Sequence, residues 1–180
     1  KLTYPQKFSG SNREVKLSGQ AFFNVSPDKS HPFIVKTKKM DVTVMGTSFE
    51  IFSYDNDKEV EAVLLTGKVK VAISDNKKLE GKIYTLAPNE KLTYSEEKGV
   101  NLTNIDADAY SGWRKGKRMS FKNETLQMIL NRLEKWYGQR IECDPQLAEY
   151  YRFTFTVHSE PLALILNYIS HSAPLTYKMV

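Results

Sequence analysis

The chain has 180 residues, 41% of them hydrophobic, with 26 Lys and Arg against 21 Asp and Glu and a formal net charge of +5. That is enough apolar material for one large domain or two small ones, but no apolar run reaches the ~20 residues of a transmembrane helix. Lysine and acid are interleaved almost everywhere, which argues for a solvated mixed surface rather than the one-sided basic face of a nucleic-acid binder.

No signal peptide is visible at the N-terminus. The start at Lys1 rather than Met suggests a fragment or processed product, so any anchor or targeting signal is expected upstream. The single cysteine, Cys143, rules out an internal disulfide.

Lys1–Ser11 is polar and runs into the loop signal Ser9-Gly-Ser-Asn12. Arg13–Leu17 alternates and predicts a first strand, followed by strands at Gly19–Val25 and Pro32–Thr37. Ser26–Pro32 is a turn, with two prolines and an aspartate. In Asp41–Phe52, Val42 and Val44 alternate with polar neighbours, and Phe49 and Ile51 alternate with Glu50 and Phe52. That is the period of a strand with one buried face. Gly46 and Thr47 interrupt it, and glycine inside a strand pattern marks a bend, a bulge or close backbone approach. Two strands joined by a corner, or one sharply kinked strand, are expected.

Val60–Gly67 and Lys68–Ile73 continue the strand pattern. Between them and Phe52 lies Tyr54–Glu59, whose spaced acids suggest calcium. Counted from Asp55, an EF-hand loop needs glycine at its sixth position and glutamate at its twelfth; those places hold Val60 and Thr66, so a hairpin tip is the better reading. Ser74–Lys78 is another turn, Leu79–Thr85 and Lys91–Tyr94 are further strands around the turn Leu86–Glu90, and Glu96–Gly99 closes a hairpin. Asn89 tolerates the left-handed conformation such a turn needs. Roughly eight to ten short strands at this turn spacing predict an all-β sandwich or solenoid-like array of antiparallel strands.

The pattern changes after Asn104–Tyr110, a linker or single helical turn. Trp113 and the only dense basic cluster, Arg114–Arg118, follow. Leu126, Ile129, Leu130, Leu133, Trp136 and Tyr137 then form the apolar stripe of a helix, with Asn123 as N-cap and Gly138 as stop. Gln139–Cys143 reads as a strand, Asp144–Ala148 as a loop or helical turn, and Tyr151–Val157 as a clean strand. A second helix over Ser159–Ser170 opens with a Ser cap and an early proline and carries Leu162, Ile165, Leu166 and Ile169 on one face. Leu175–Val180 reads as a closing strand. Residues 119–143 and 153–180 are two weak copies of strand–helix–strand. The fold expected is a mainly β N-terminal domain plus a small α+β domain built from two such repeats, with domains at 1–105 and 119–180 and a junction at 106–118.

No catalytic cluster is visible, and no cofactor or metal site is expected. His31, His158 and His171 have no metal-ligand spacing, and each reads as a surface or capping histidine. Cys143 reads as a small buried hydrophobe. No nucleophile elbow, phosphate loop or dinucleotide fingerprint occurs. Leu65-Thr-Gly-Lys68 lacks the upstream glycine of a phosphate loop and is a hairpin turn. Ten tyrosines and two tryptophans offer core and interface packing first, and a sugar platform second.

Gly19–Val25, Pro32–Thr37, Val44-Met-Gly-Thr-Ser-Phe49 and Leu65-Thr-Gly-Lys-Val-Lys-Val71, in this order and spacing, resemble the FecR family over residues 13–95. Leu86-Ala-Pro-Asn-Glu90 is similar to that family's Leu-x-Pro-Gly-Gln turn, with Asn89 and Glu90 in place of glycine and glutamine. The repeated C-terminal unit resembles the family's companion domain, related to the secretin/TonB short N-terminal module. The resemblance implies the periplasmic part of a single-pass inner-membrane anti-sigma regulator. Its sigma-binding cytoplasmic segment and membrane tether would lie upstream of Lys1. The implied partner is the periplasmic signalling domain of a TonB-dependent outer-membrane transporter for iron or another nutrient, and contact would lead to sigma-factor release, through regulated proteolysis.

A sheet edge accepts a partner strand through backbone hydrogen bonds. The candidate edges are the strands of Phe153, Phe155 and Val157 and of Leu175 and Tyr177. Two other readings differ in class: a carbohydrate-binding or adhesion module, which needs coplanar exposed Tyr or Trp on one sheet face, and a nucleic-acid binder centred on Arg114–Arg118.

Overall fold

The computed structural model describes residues 1–55, 57–111 and 118–178. The chain divides into two compact units, 1–108 and 109–180. The first is built from β1 (Leu2–Thr3), β2 (Arg13–Leu17), β3 (Gly19–Val25), β4 (Phe33–Lys36), β5 (Met40–Val44), β6 (Thr47–Ser53), β7 (Val60–Thr66), β8 (Val69–Ile73), β9 (Ile83–Leu86), β10 (Glu90–Ser95) and β11 (Gly99–Asn104). One sheet runs β1-β2-β4-β5-β8-β9 and the other β11-β10-β7-β6-β3. Neighbours are antiparallel except β2 and β4, which run parallel.

Alternation decides which face each sheet buries. Val35, Val42, Val44, Val69 and Val71 of one sheet meet Phe49, Ile51, Ala62, Leu64, Leu92 and Tyr94 of the other in a single core. Each Val, Leu, Ile or Phe among them contributes about 1.5–3 kcal/mol by leaving water. Phe23 stacks on Phe49 with ring centroids 5.1 Å apart. The expected mainly β fold is therefore a two-layer sandwich rather than a solenoid. The polar N-terminal stretch contributes one strand not expected from its sequence: Leu2 and Thr3 pair with Leu17 and Lys16.

The break at Gly46 is a corner, and it carries the chain from one layer to the other. Gly46 adopts φ 149°, and a Cβ there would lie 2.7 Å from Pro27 Cα. Asp28 N donates to Met45 O at 2.8 Å, which holds the turn of Pro27 against the corner. Another layer crossing, between β7 and β8, passes through Gly67 (φ 90°), where a Cβ would meet Gly46 O at 2.8 Å. The two corners pack on each other, and neither position has room for a side chain.

Two details of the first unit differ from the expectation. Glu50 and Phe52, expected on an open face of β6, are buried, Glu50 completely. β6 is an interior strand, and Gln20 Nε2 donates to Glu50 Oε1 at 2.7 Å, so the carboxylate has a polar partner inside. The strand expected from Leu79 starts only at Ile83. Asn76 Oδ1 accepts from Lys78 N at 3.0 Å and caps a short 3₁₀ turn at Lys77–Leu79.

The remaining elements are α1 (Ala107–Tyr110), β12 (Met119–Thr125), α2 (Leu126–Tyr137), α3 (Pro145–Tyr150), β13 (Arg152–Val157) and α4 (Leu162–Ser172). β12 and β13 form an antiparallel pair whose apolar face packs with α2 and α4 around Phe121, Ile129, Leu133, Val157, Ile165 and Ile169. The small α+β unit is as expected in class.

Its closing strands are not formed among the described residues. Residues 139–143 are irregular: Gly138 in the left-handed region ends α2, and Ile141 and Cys143 pack on the core by side chain alone. Residues 175–178 are likewise outside any sheet; Pro174 supplies no N–H, and Leu175 packs on the core. Residues 179 and 180 of that expected strand lie outside the described residues.

Both helix starts also shift. Asn123 sits in β12 with φ 51°, in a bulge between Phe121 and Glu124, so Thr125 caps α2 instead, accepting from Met128 N at 3.4 Å. Ser159 does not cap α4. Pro161 takes the N-cap place, with no side-chain cap bond.

Candidate partner-binding surface

The surface is built on β13. Arg152, Thr154 and Thr156 point to the exposed face, Phe153 and Phe155 are half-buried, and Val157 is buried. On the inner side Phe155 packs against Phe121, centroids 5.0 Å apart, and Phe153 lies 6.4 Å from Tyr151. On the outer side polar bonds stitch β13 to the bulge of β12. Arg152 donates to Asn123 O at 2.9 Å, Asn123 N donates to Thr154 Oγ1 at 2.9 Å, and the Ser120 and Thr156 hydroxyls lie 3.1 Å apart. Among the described residues β13 pairs with β12 alone, so its other edge carries no neighbouring strand.

Of the residues singled out from sequence, Phe153, Phe155, Val157 and Leu175 gather on one core. Val157 is committed to that core, so only its backbone can meet a partner. Tyr177 stands apart: it is exposed, and its hydroxyl donates to Ala163 O at 3.1 Å. Missed by the sequence reading were Leu147 and Tyr150 on α3, both exposed and three residues apart on one helix face. The signal was present in Asp144-Pro145, a cap followed by proline at the first turn. Asp144 Oδ1 accepts from Gln146 N at 2.8 Å and Leu147 N at 3.3 Å. Tyr150 stands perpendicular to Tyr151, at 89° with centroids 5.1 Å apart, so this pair does not form the flat platform a sugar ring needs.

The rings of His31 and His171 have local partners. His31 Nδ1 lies 2.9 Å from Asp28 Oδ2, His171 Nδ1 donates to Asn167 O at 2.8 Å, and the backbone N–H of His158 donates to Glu160 Oε2 at 2.7 Å. Burial, then the neighbouring Asp144 charge, pushes the Cys143 thiol up from its ordinary value. Among the described residues no three His, Cys, Asp or Glu side chains gather as a metal site. Trp113 and the cluster Arg114–Lys117 lie outside the described residues.

Residues 1–70 match the family described as FecR protein, and residues 118–180 match the family described as FecR, C-terminal. The fold has a counterpart in the crystal structure of a candidate anti-sigma factor from Parabacteroides distasonis ATCC 8503, with TM-score 0.87 and 30% identity over 99% of this chain and 82% of that one. The chain belongs to the FecR family. A second crystal structure of a candidate anti-sigma factor from Parabacteroides distasonis gives TM-score 0.85 at 30% identity, covering 98% and 80% of the two chains. No curated protein matches the sequence. The two FecR matches fall in different units, so this FecR protein carries both family segments in one chain. Among its described residues no helix is long and apolar enough to cross a membrane.

Proposed function

We propose that this FecR-family chain is the periplasmic, signal-receiving part of a membrane-anchored sigma-factor regulator. The observation that carries the reading is the paired match of FecR protein and FecR, C-terminal segments, in a fold shared along nearly its full length with a candidate anti-sigma factor. That kinship supports a regulator rather than an enzyme. Its partner is the periplasmic signalling domain of a TonB-dependent outer-membrane transporter. The functional division is a β-domain at 1–105, a junction at 106–118 and a receiving domain at 119–180. The sigma factor is bound by a segment upstream of Lys1, and contact by the loaded transporter leads to its release.

The open edge of β13 is the contact we favour over the C-terminal segment. Among the described residues it offers a sheet edge with no strand alongside, beside half-buried Phe153 and Phe155, the combination that strand addition uses for affinity and selectivity. The test is binding of the chain to purified signalling domains of transporters encoded near its gene, with duplex DNA and a glycan panel as controls. Saturable binding to one signalling domain, with slowed amide exchange across residues 152–157, is expected. Binding to no such domain, or to a glycan instead, overturns the reading. Binding with protection elsewhere removes β13 as the contact.

A further inference from the structure

The sandwich has sheet edges of its own, and they are not equally protected. Proteins blunt edge strands with charge, proline, shortness or cover, because an open ladder recruits other chains. β1 is two residues long, next to Lys1. β9 is four residues long, bounded by Lys82 and Pro88. β3 also lacks charge and proline, but only Asn24 of its six side chains is exposed.

β11 has none of these devices. Gly99-Val-Asn-Leu-Thr-Asn104 contains no charge and no proline, pairs with β10 along all six residues, and among the described residues has no strand on its other side. Leu102 faces the same side as the buried Leu92 opposite it, yet is 45% exposed. The apolar inner face of the sandwich therefore continues to the β11 rim, where Leu102 is left partly open.

The charge beside this rim selects what can close it. Glu96 and Glu97, both exposed, sit in the turn that leads into β11; Lys98 of the same turn is paired with Glu59 at 3.2 Å, and Asp106 follows the strand. A second copy added antiparallel would bring its own β11 end, with Asp106, toward Glu96 and Glu97. Acid would face acid, and like charges across a ladder repel. A segment with basic ends meets attraction instead.

We infer that β11 is a docking edge for an extended peptide segment of a partner protein, apolar at alternate positions in its middle and carrying Lys or Arg at its ends. The added strand continues the β10–β11 ladder, its inward side chains cover Leu102, and one basic end lies beside Glu96 and Glu97 while the other lies toward Asp106. This site is separate from the β13 edge and does not rest on the identity of the transporter.

The probe is the synthetic peptide Lys-Arg-Val-Thr-Val-Thr-Ile-Arg-Lys, titrated into the isotopically labelled full chain and followed by amide chemical shifts and exchange. Saturable shifts centred on residues 99–104, slowed exchange there, and affinity falling as salt rises are expected. Three comparisons isolate the cause. The same peptide with glutamates for its basic ends, and the basic peptide with proline at its central valine, should each bind about tenfold more weakly. The exposed substitution Leu102→Lys should weaken the basic peptide by a similar factor while leaving Tm unchanged.

The inference is overturned if the proline peptide binds as well as the parent, since charge alone then explains the affinity. It is also overturned if shifts centre elsewhere, if none saturates, or if the chain self-associates through β11 without peptide, which makes a second copy the occupant.

Discussion

At the scale of single residues the corner at Gly46 shows how far a sequence can be read. A glycine breaking a strand period was enough to expect a corner or a sharp kink. What the corner meets was not legible, because Pro27 belongs to another turn and reaches Gly46 only through the layered fold. The same holds at Asn89: its left-handed backbone (φ 67°) follows from residue type, but its side chain also accepts from Ala107 N at 3.2 Å, a contact no local pattern announces. Gly46→Ala adds a Cβ against backbone and imposes positive φ on an L residue. It should cost about 2–3 kcal/mol and lower Tm by roughly 10 °C in calorimetry. Gly81→Ala, at φ 77° with nothing within 4 Å of the new Cβ, pays only the backbone strain and should cost about 1 kcal/mol. Equal losses for the two would mean that the contact with Pro27 relaxes freely. A second residue-scale prediction concerns Glu160. Its carboxylate accepts from its own backbone N–H and from that of His158, which holds it below the ordinary value of 4.5. The folded state therefore favours the charged form. This contribution is complete above pH 4.5 and lost as pH falls through the lower folded value. A carbon-detected titration of Glu160 should give a midpoint under 4.5, and His158→Pro, which removes one donor, should move it upward.

At the scale of elements, strands with alternating faces were readable almost residue for residue, as β2 and β3 illustrate. Helix ends and closing strands were not. Asn123 has the chemistry of a cap, but a bulge in β12 spends it on a left-handed turn, and the cap passes to Thr125. Residues 139–143 have strand composition, yet a strand exists only where a partner lies alongside, and pairing is a property of the fold. The candidate surface was legible in the same uneven way: Phe153 and Phe155 were found from alternation, whereas Tyr150 was hidden in a helix too short to show a period. Helix α3 depends on its cap. Asp144 accepts from two backbone N–H groups that otherwise have no partner in a helix this short, and Pro145 presets the first turn. Asp144→Ala should destabilise by about 1 kcal/mol, read as a lower urea midpoint with unchanged slope. Asp144→Asn keeps the acceptor and should recover most of the loss. If Asn and Ala behave alike, the carboxylate charge near the helix start, not the cap bond, is what matters.

At the scale of the whole molecule, the composition allows one core or two, and the structure has two that share no residue. The first joins both sheets around Val42, Phe49 and Leu92; the second gathers β12, β13, α2 and α4 around Phe121, Leu133 and Ile165. A cavity cut into one core removes apolar contacts only from the elements that line it, so its cost belongs to that unit. Leu133 is fully buried in the second core. Leu133→Ala should cost about 2–5 kcal/mol there, the range for a leucine truncated in a close-packed site. Native-state hydrogen exchange separates the two outcomes. Faster exchange across β12, α2, β13 and α4, with β5, β6 and β8 unchanged, is expected if each core supports its own unit. The converse variant, Val71→Ala in the sandwich, should speed exchange in β5 and β8 and leave α2 alone. Because half-buried Trp136 packs against the second core, its fluorescence should report the Leu133 variant's earlier unfolding and stay silent for Val71→Ala. If both variants accelerate exchange throughout the chain, the two cores unfold as one cooperative body. A signal received on β13 would then bear on the stability of the sandwich as well.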